Sequence, residues 1–501
     1  MKTFWGDIHN HCAVSYGHGT PRRVLDNARQ HLDFVSITGH AFWPDMPRDI
    51  VNQNGIMVTH LGGFAKLQHF WPDLLRELEA ANRPGEFVTF PSYEWHSMEF
   101  GDHNATFNAF DVPLIDGPKL ADLARNLAEQ PAEFMLMPHH CGYSRGHRGL
   151  NWDGFIPSVI PLIEIFSNHG CGEADDAYYD YHHSMGPRVG GSMVRRGLLA
   201  GHRFGFTAGT DSHDGYPGHY GHGRVGVLAD RLDLDSIWDG LKSRRTIAST
   251  GARFEVKLSL GNAGVGEVTP RHPTMPFDLE VEGTAPIDRV DLIEGVNGSC
   301  RVRRLAGRDL NFDFSPGRFK VKIECGWGRG NTRSDWDLDC EVANGRLHGV
   351  DRCFRHSPYP MDELESSERI TELTDHRVHW QARAVPNPSG LIAGTHFNSS
   401  GTQAVVLDLE AGDTTSLRLK TGGVDLDLTV SELCRGSVGR QVAGFGSPAV
   451  KIHRAVPESE FTFAHSEEYQ PLGQQGDNGF VYVRIIQSDG QMGWVSPIWY
   501  E

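Results

Sequence analysis

His9 and His11 sit one residue apart in the stretch GDIHNH, and Asp211 and His213 repeat that spacing in GTDSH. On an extended strand, alternate residues leave the same face, so the two imidazoles of the first pair stand about 7 Å apart and can grip one cation. Zinc, manganese and iron of the divalent kind take imidazole nitrogen and carboxylate oxygen. His40, Glu94, His103 and one of the adjacent pair His139 and His140 each follow an apolar run and add donors of these types. Glu94, flanked by the apolar FVTFPSY, suits a carboxylate shared by two cations about 3.5–4 Å apart. Arg145 and Arg148, in CGYSRGHRG, carry the planar fork that fits phosphate or carboxylate. Glu164 and Glu173, in IEIFSNHGCGE, are placed to meet substrate or to orient ligands, or else to form structural ion pairs. His213 or His18, where not holding a cation, could protonate a leaving oxygen.

The first half of the chain alternates strand and helix signals. After KTFWGDIH, Thr20 suits a helix N-cap and Pro21 the first turn, with Val24, Leu25, Ala28 and Leu32 on one face. FVSIT, FVTFPSYE, ATFNAF, FMLMPHH, LIEIFSN and FGFTAGTDSH read as later strands, with WPDLLRELEAANR and LADLARNLAEQ as helices between them. Such alternation predicts a parallel sheet, open or closed, with the active site at the carboxyl ends of its strands. Phe42, Trp43 and Trp71 are read as packing an insertion against this unit. Beyond about residue 250 short segments alternate apolar and polar residues between Gly, Asp and Asn turns, which predicts antiparallel β-sandwich structure. A polar connector near MDELESSERITEL interrupts it. The expected division is therefore 1–250, α/β, and 251–501, all-β.

Nineteen of the 27 histidines precede residue 223, so the chemistry belongs to the first part. A net charge of −17 argues against nucleic acid as the main partner. No run of about 18 apolar residues is present to span a bilayer. Met1 to Gly6 reads straight into a strand without signal-peptide character, so a cytoplasmic location is the expectation. Eight scattered cysteines without a Cys-x-x-Cys pair are expected to be free thiols. Oligomeric state is not readable from the sequence.

Taken in order, GDIHNH, FVSITGH, the lone Glu94, PHH and GTDSH resemble the polymerase-and-histidinol-phosphatase (PHP) superfamily over roughly residues 4 to 250. PSYEW, HNATF, IEIFSNHGCGE and GTDSHDGYPG are similar to its DUF3604 subgroup, a likeness that extends to the aromatic C-terminal strands. The resemblance implies a distorted (β/α)7 barrel of PHP type followed by the β-sandwich region, with two or three divalent metal ions (Mn, Zn or Fe). It assigns His9, His11, Glu94 and Asp211 to a first metal, Glu94, His103 and His139 to a second, and His40 and His213, with His18 as a further partner, to a third. Two positions depart from the pattern: Gly39 stands where an aspartate is usual before His40, and Tyr16 where another aspartate often lies.

The function these features imply is metal-dependent hydrolysis of a small anionic substrate, with phosphoesterase chemistry as the superfamily's prevalent form. A metal-dependent hydrolase or lyase acting on a sugar or lactone bond is the alternative. A non-catalytic glycan- or protein-binding role is a third reading.

Overall fold

The computed structural model describes residues 1–47, 54–179, 188–307, 313–327, 334–355, 368–384, 402–443 and 447–501. Three parallel strands carry the start of the chain: β1 (Lys2–Asp7), β2 (Phe34–Phe42) and β3 (Val88–Trp95). Helix α1 (Pro21–Arg29) joins the first two. Its Thr20 hydroxyl accepts from Arg23 N, and Val24, Leu25 and Ala28 are buried, as the sequence pattern predicts. Helix α2 (Asn54–Ala81) joins the second and third, starting well before the predicted WPDLL segment. Only glycine fits at Gly6, where a Cβ would meet the Phe34 ring at 2.4 Å.

After β3 the pattern changes. β4 (His103–Phe107) runs antiparallel to β3 and β5 (Phe134–Pro138) antiparallel to β4. The β3–β4 link is short and has no helix, so it can turn back but cannot cross over to a parallel neighbour. Helix α3 (Leu120–Ala128) lies between β4 and β5 in sequence. β6 (Leu162–Ser167), β7 (Gly170–Cys171) and β8 (Gly205–Ala208) form a separate three-stranded sheet, with α4 (Val194–Leu199) between the last two in sequence. β9 (Arg224–Ala229) pairs antiparallel with β1, and β10 (Thr246–Ser249) antiparallel with β9, with α5 (Leu234–Lys242) linking them.

The described strands form a mixed, sheet-rich fold with few helices and no closed barrel. The barrel expected from the sequence fails to close because the ladder from β1 ends at β5, while β6 and β8 pair only within their own sheet. On the other side, β10 pairs with the C-terminal strand Met492–Tyr500, which pairs in turn with Gly479–Gln487. The main sheet therefore has 12 strands and passes straight through the expected boundary at residue 250.

The rest of the second half is antiparallel, as its alternation predicts. A four-stranded sheet packs Val256, Leu258, Phe277 and Leu279 against Trp5, Val481 and Val495 of the main sheet. A nine-stranded sheet built on the long strands Ser334–Cys353 and Gln403–Thr421 encloses a separate core around Trp380, Leu407 and Leu419. Of the polar connector, 361–367 lies outside the described residues, and Arg369–Thr374 is a strand. All eight cysteines are free and seven are buried. No described helix is long and apolar enough to cross a membrane.

Candidate metal centre

β1 ends at Asp7, so His9 and His11 leave the sheet in an extended segment held by a parallel bridge between Asn10 and Ser212. That bridge brings the two sequence pairs together. Nε2 of His11 lies 2.9 Å from Asp211 Oδ1 and 3.6 Å from Glu94 Oε2, and Nε2 of His9 lies 3.5 Å from the same Asp211 oxygen. Glu94, at the end of β3, meets His40 Nδ1 through Oε2 and accepts from His139 Nε2 through Oε1, both at 2.9 Å. Gly209 makes the approach possible, since a Cβ there would stand 2.4 Å from that of His9.

Asp7 does not face this cluster. Its buried carboxylate accepts from Thr210 Oγ1 (2.6 Å), Gly218 N (2.9 Å), His9 N (3.0 Å) and Thr210 N (3.1 Å). Burial pushes it up to about 6 despite these bonds. It pins the His9 segment to the segment carrying Asp211.

The donors fit divalent cations on three counts. Among the described residues, donor atoms cluster within 4.8 Å in five groups, among them His9–His11–Asp211, Glu94–Asp102–His139–His140 and His11–His40–His213. A tetrahedral zinc with bonds of about 2.0–2.1 Å keeps nitrogen donors about 3.3–3.4 Å apart, so separations of 2.9 to 3.6 Å need only small adjustment. Second, several rings use one nitrogen on an outer partner and leave the other for the cluster, the usual arrangement around metal-binding histidines. His9 Nδ1 donates to Glu164 Oε2 at 2.7 Å, leaving Nε2 buried without a hydrogen bond. His213 Nδ1 donates to the Asp211 carbonyl at 3.1 Å, and Tyr143 Oη meets His169 Nδ1 at 2.7 Å.

Third, the protonation states suit metal binding, which needs neutral imidazole and ionised carboxylate. Burial opposes ionisation of Glu94 and Asp211, but His96 and His139 around the first, and His9 and His169 around the second, hold both well below the usual carboxylate range. Burial and neighbouring imidazoles keep His40 and His140 well below the usual histidine range, and burial with His11 holds His213 at about 3. His9 is the exception: burial lowers it, yet Glu164 and Asp211 outweigh this and hold it at about 10 without a cation.

The sequence-derived candidates divide. His9, His11, His40, Glu94, His139, Asp211 and His213 converge. Both His139 and His140 face the cluster, the second meeting Asp211 Oδ2 at 3.6 Å from a left-handed backbone (φ 53°). His103 lies outside the five groups, with Nδ1 donating to Gly101 O at 3.0 Å and Nε2 buried without a bond. His18 is not brought in: its side chain is exposed, and only its backbone N–H meets His213 O at 2.8 Å. Tyr16 takes the inner position, stacked on His40 at 3.6 Å. Gly39 explains the missing acid, because a Cβ there would lie 2.7 Å from Leu67 Cδ1 on α2.

Arg145 is exposed and paired with Asp153 at 2.6 Å. Arg148 lies inside, ion-paired with buried Asp102, 2.9 Å from His96 Nδ1 and stacked over Trp43. Trp43 thus borders the site, whereas Trp71 is core. Glu164 orients His9. Glu173 belongs to none of the five donor groups and binds the C-terminal strands through Arg484, Tyr482 and Trp494.

Four contributors were not assigned from sequence. His96 follows Glu94 at strand spacing, a signal of the same kind as His-x-His. Asp102 is next to His103, and its backbone carbonyl accepts from His139 N at 3.1 Å. His169 reaches Asp211 Oδ2 at 2.8 Å. Tyr16 carries no local signal.

No family model matches the chain. An uncharacterised protein of Chlamydia trachomatis serovar D is 25% identical over 162 residues, 29% of this chain and 26% of that protein, so the chain spans about a quarter of the length of the curated relative it matches. A solved two-domain protein from Bacteroides vulgatus, described as containing a predicted PHP-like metal-dependent phosphoesterase, is 14% identical and covers 60% of this chain and 85% of its own, with a TM-score of 0.31. Overlap at that level leaves the fold and the site to the geometry above.

Proposed function

We propose that the protein is a metal-dependent hydrolase with phosphoesterase chemistry, acting on a small anionic substrate and using two or three divalent ions (Mn, Zn or Fe). The observation that carries this is the approach of two imidazole lone pairs. His40 Nε2 and His213 Nε2 are 3.0 Å apart, while each ring's Nδ1 already faces an oxygen, Glu94 Oε2 and the Asp211 carbonyl. Two such nitrogens repel each other unless a metal ion or a shared proton lies between them, and the carboxylates of Glu94 and Asp211 beside them favour the metal ion. Parallel β1, β2 and β3 with parallel β6 and β8 also support reading the first half as a distorted PHP-type barrel left open in its hydrogen bonding.

His9, His11, Glu94 and Asp211 would hold one ion; Glu94, Asp102, His139 and His140 a second; His11, His40 and His213 a third. Bound there, such ions supply a water acidic enough to ionise near neutrality and neutralise charge on the substrate. The protein's own residues do the rest. Arg148 fixes Asp102 and, through it, the Glu94 side of the cluster. His213, 38% exposed at its side chain, marks the mouth where substrate enters. Its low pKa suits a ligand rather than a proton donor, which leaves the exposed His18 beside it to deliver a proton to the leaving oxygen.

One observation favours the second reading, a sugar or lactone bond: both candidate phosphate-binding arginines are already ion-paired, Arg145 to Asp153 and Arg148 to Asp102. Elemental analysis of the pure protein, then assays on phosphoesters against sugar esters and lactones with His9→Ala as control, decide between them. Phosphoester turnover lost in His9→Ala supports the leading reading, turnover confined to other bonds the second, and no bound or acquired metal removes both.

A further inference from the structure

Away from the histidine cluster, three arginines converge where β9 and β10 meet the long strand Ser334–Cys353. Arg224, at the start of β9, is 1% exposed. Its Nε donates to Gly218 O at 2.7 Å, and its Nη1 to Gly251 O at 3.2 Å and to Arg352 O at 3.4 Å. Its Nη2 is buried without a hydrogen bond. Arg253, just beyond β10, donates through Nη2 to His31 O. Arg352 comes from the long strand. The Nε atoms of both are likewise buried without a partner.

All three act on one imidazole. Burial, then Arg224, Arg253 and Arg352, push His31 well below the usual histidine range, so it adds no charge of its own. Burial and then Arg253 bring even Arg224 down to about 10. Among the described residues no carboxylate stands within ion-pair distance of these three guanidinium groups, and Asp351 and Asp33 reach Arg352 only from farther away. The contrast with other buried arginines is plain: Arg148 pairs with Asp102, Arg484 with Glu173 and Asp291, and Arg195 with Glu173.

A guanidinium does not shed its proton to escape burial, and unpaired buried charge is strongly unfavourable. Arg224, fully buried, and the half-buried Arg253 and Arg352 beside it together call for an anion, and their planar forks fit the oxygens of a phosphate. We propose that this junction binds a small oxyanion of the phosphate class, held between Arg224, Arg253 and Arg352. Because Arg352 belongs to the nine-stranded sheet and the other two to the main sheet's side, the anion fastens the two together. The site shares no side chain with the metal cluster.

Thermal unfolding and calorimetric titration of the full chain test this at constant ionic strength. Chloride, inorganic phosphate and glycerol phosphate would be compared on the wild type, Arg253→Gln, Arg352→Gln and His139→Ala. Phosphate should raise the melting temperature of wild type and of His139→Ala by several degrees. Each arginine variant should lose tenfold or more in phosphate affinity, yet melt no lower than wild type in chloride, because like-charge repulsion is relieved. Binding of both anions or of inorganic phosphate alone supports the site with the free ion as its ligand; binding of glycerol phosphate alone supports it with an esterified phosphate. Equal melting in chloride, inorganic phosphate and glycerol phosphate overturns the proposal, as does affinity for the bound anion unchanged in both arginine variants, or an anion effect abolished in His139→Ala. Should the arginine variants fail to fold, ³¹P line broadening with wild type and His139→Ala still decides: broadening in both supports the site, and its absence from either overturns it.

Discussion

His9 Nδ1 donates to Glu164 Oε2 at 2.7 Å, and this one bond fixes which nitrogen the ring turns toward Asp211. Glu164→Gln keeps the size of the side chain but removes the charge that orients and polarises the imidazole. Outer-sphere changes of this kind lower metal affinity about 10–100-fold. Competition against a chromophoric chelator should show that loss while circular dichroism stays native; unchanged affinity would remove Glu164 from this role.

Metal removal should destabilise the protein. A ligand present at a hundredfold over its Kd stabilises the folded state by about 2.7 kcal/mol. Dialysis against a chelator should therefore lower the melting temperature by several degrees, and manganese, zinc or iron should restore it. A melting temperature indifferent to both treatments would count against a metal centre.

Glu173 sets an acid limit on stability. Burial raises its pKa, but Arg484 and Arg195 outweigh this and hold it at about 2 against an ordinary 4.5. A depressed carboxylate contributes stability above its unfolded pKa and loses it as pH falls through the folded value. That contribution is on the order of 3 kcal/mol and should disappear between about pH 4.5 and pH 2. Glu173→Gln removes the buried partner shared by Arg484 and Arg195, leaving them Asp291 and Asp176, and should cost about 3 kcal/mol at pH 7. Denaturant midpoints of both proteins from pH 3 to pH 7 check the slope and its loss.

Restoring an acid before His40 should fail. Gly39→Asp drives its Cβ against Leu67, an overpacking cost of about 1–3 kcal/mol. Calorimetric melting should show that loss, with no gain in bound metal per chain.

Much of the centre was legible because strand geometry makes local spacing informative. His9 with His11, and Asp211 with His213, announce themselves as pairs, and the apolar run before Glu94 marks a strand end. Thr20 and Pro21 fix the start of α1 by capping alone. Other members carry no such mark. His169 meets Asp211 only because β6 and β8 lie parallel. Tyr16 replaces His18 inside the cluster because the loop after His11 turns its ring onto His40.

Residue types and short-range periodicity thus determined which side chains could bind cations, roughly which half of the chain holds them, and that the second half is antiparallel β. Tertiary structure alone decided that the ladder stays open, that the C-terminal strands join the sheet begun by β1, and that Glu173 pairs with Arg484. The physical reason is range. Alternation and capping act over a few residues, whereas sheet order and the pairing of a buried acid depend on segments hundreds of residues apart, whose meeting is set by the packing of the whole.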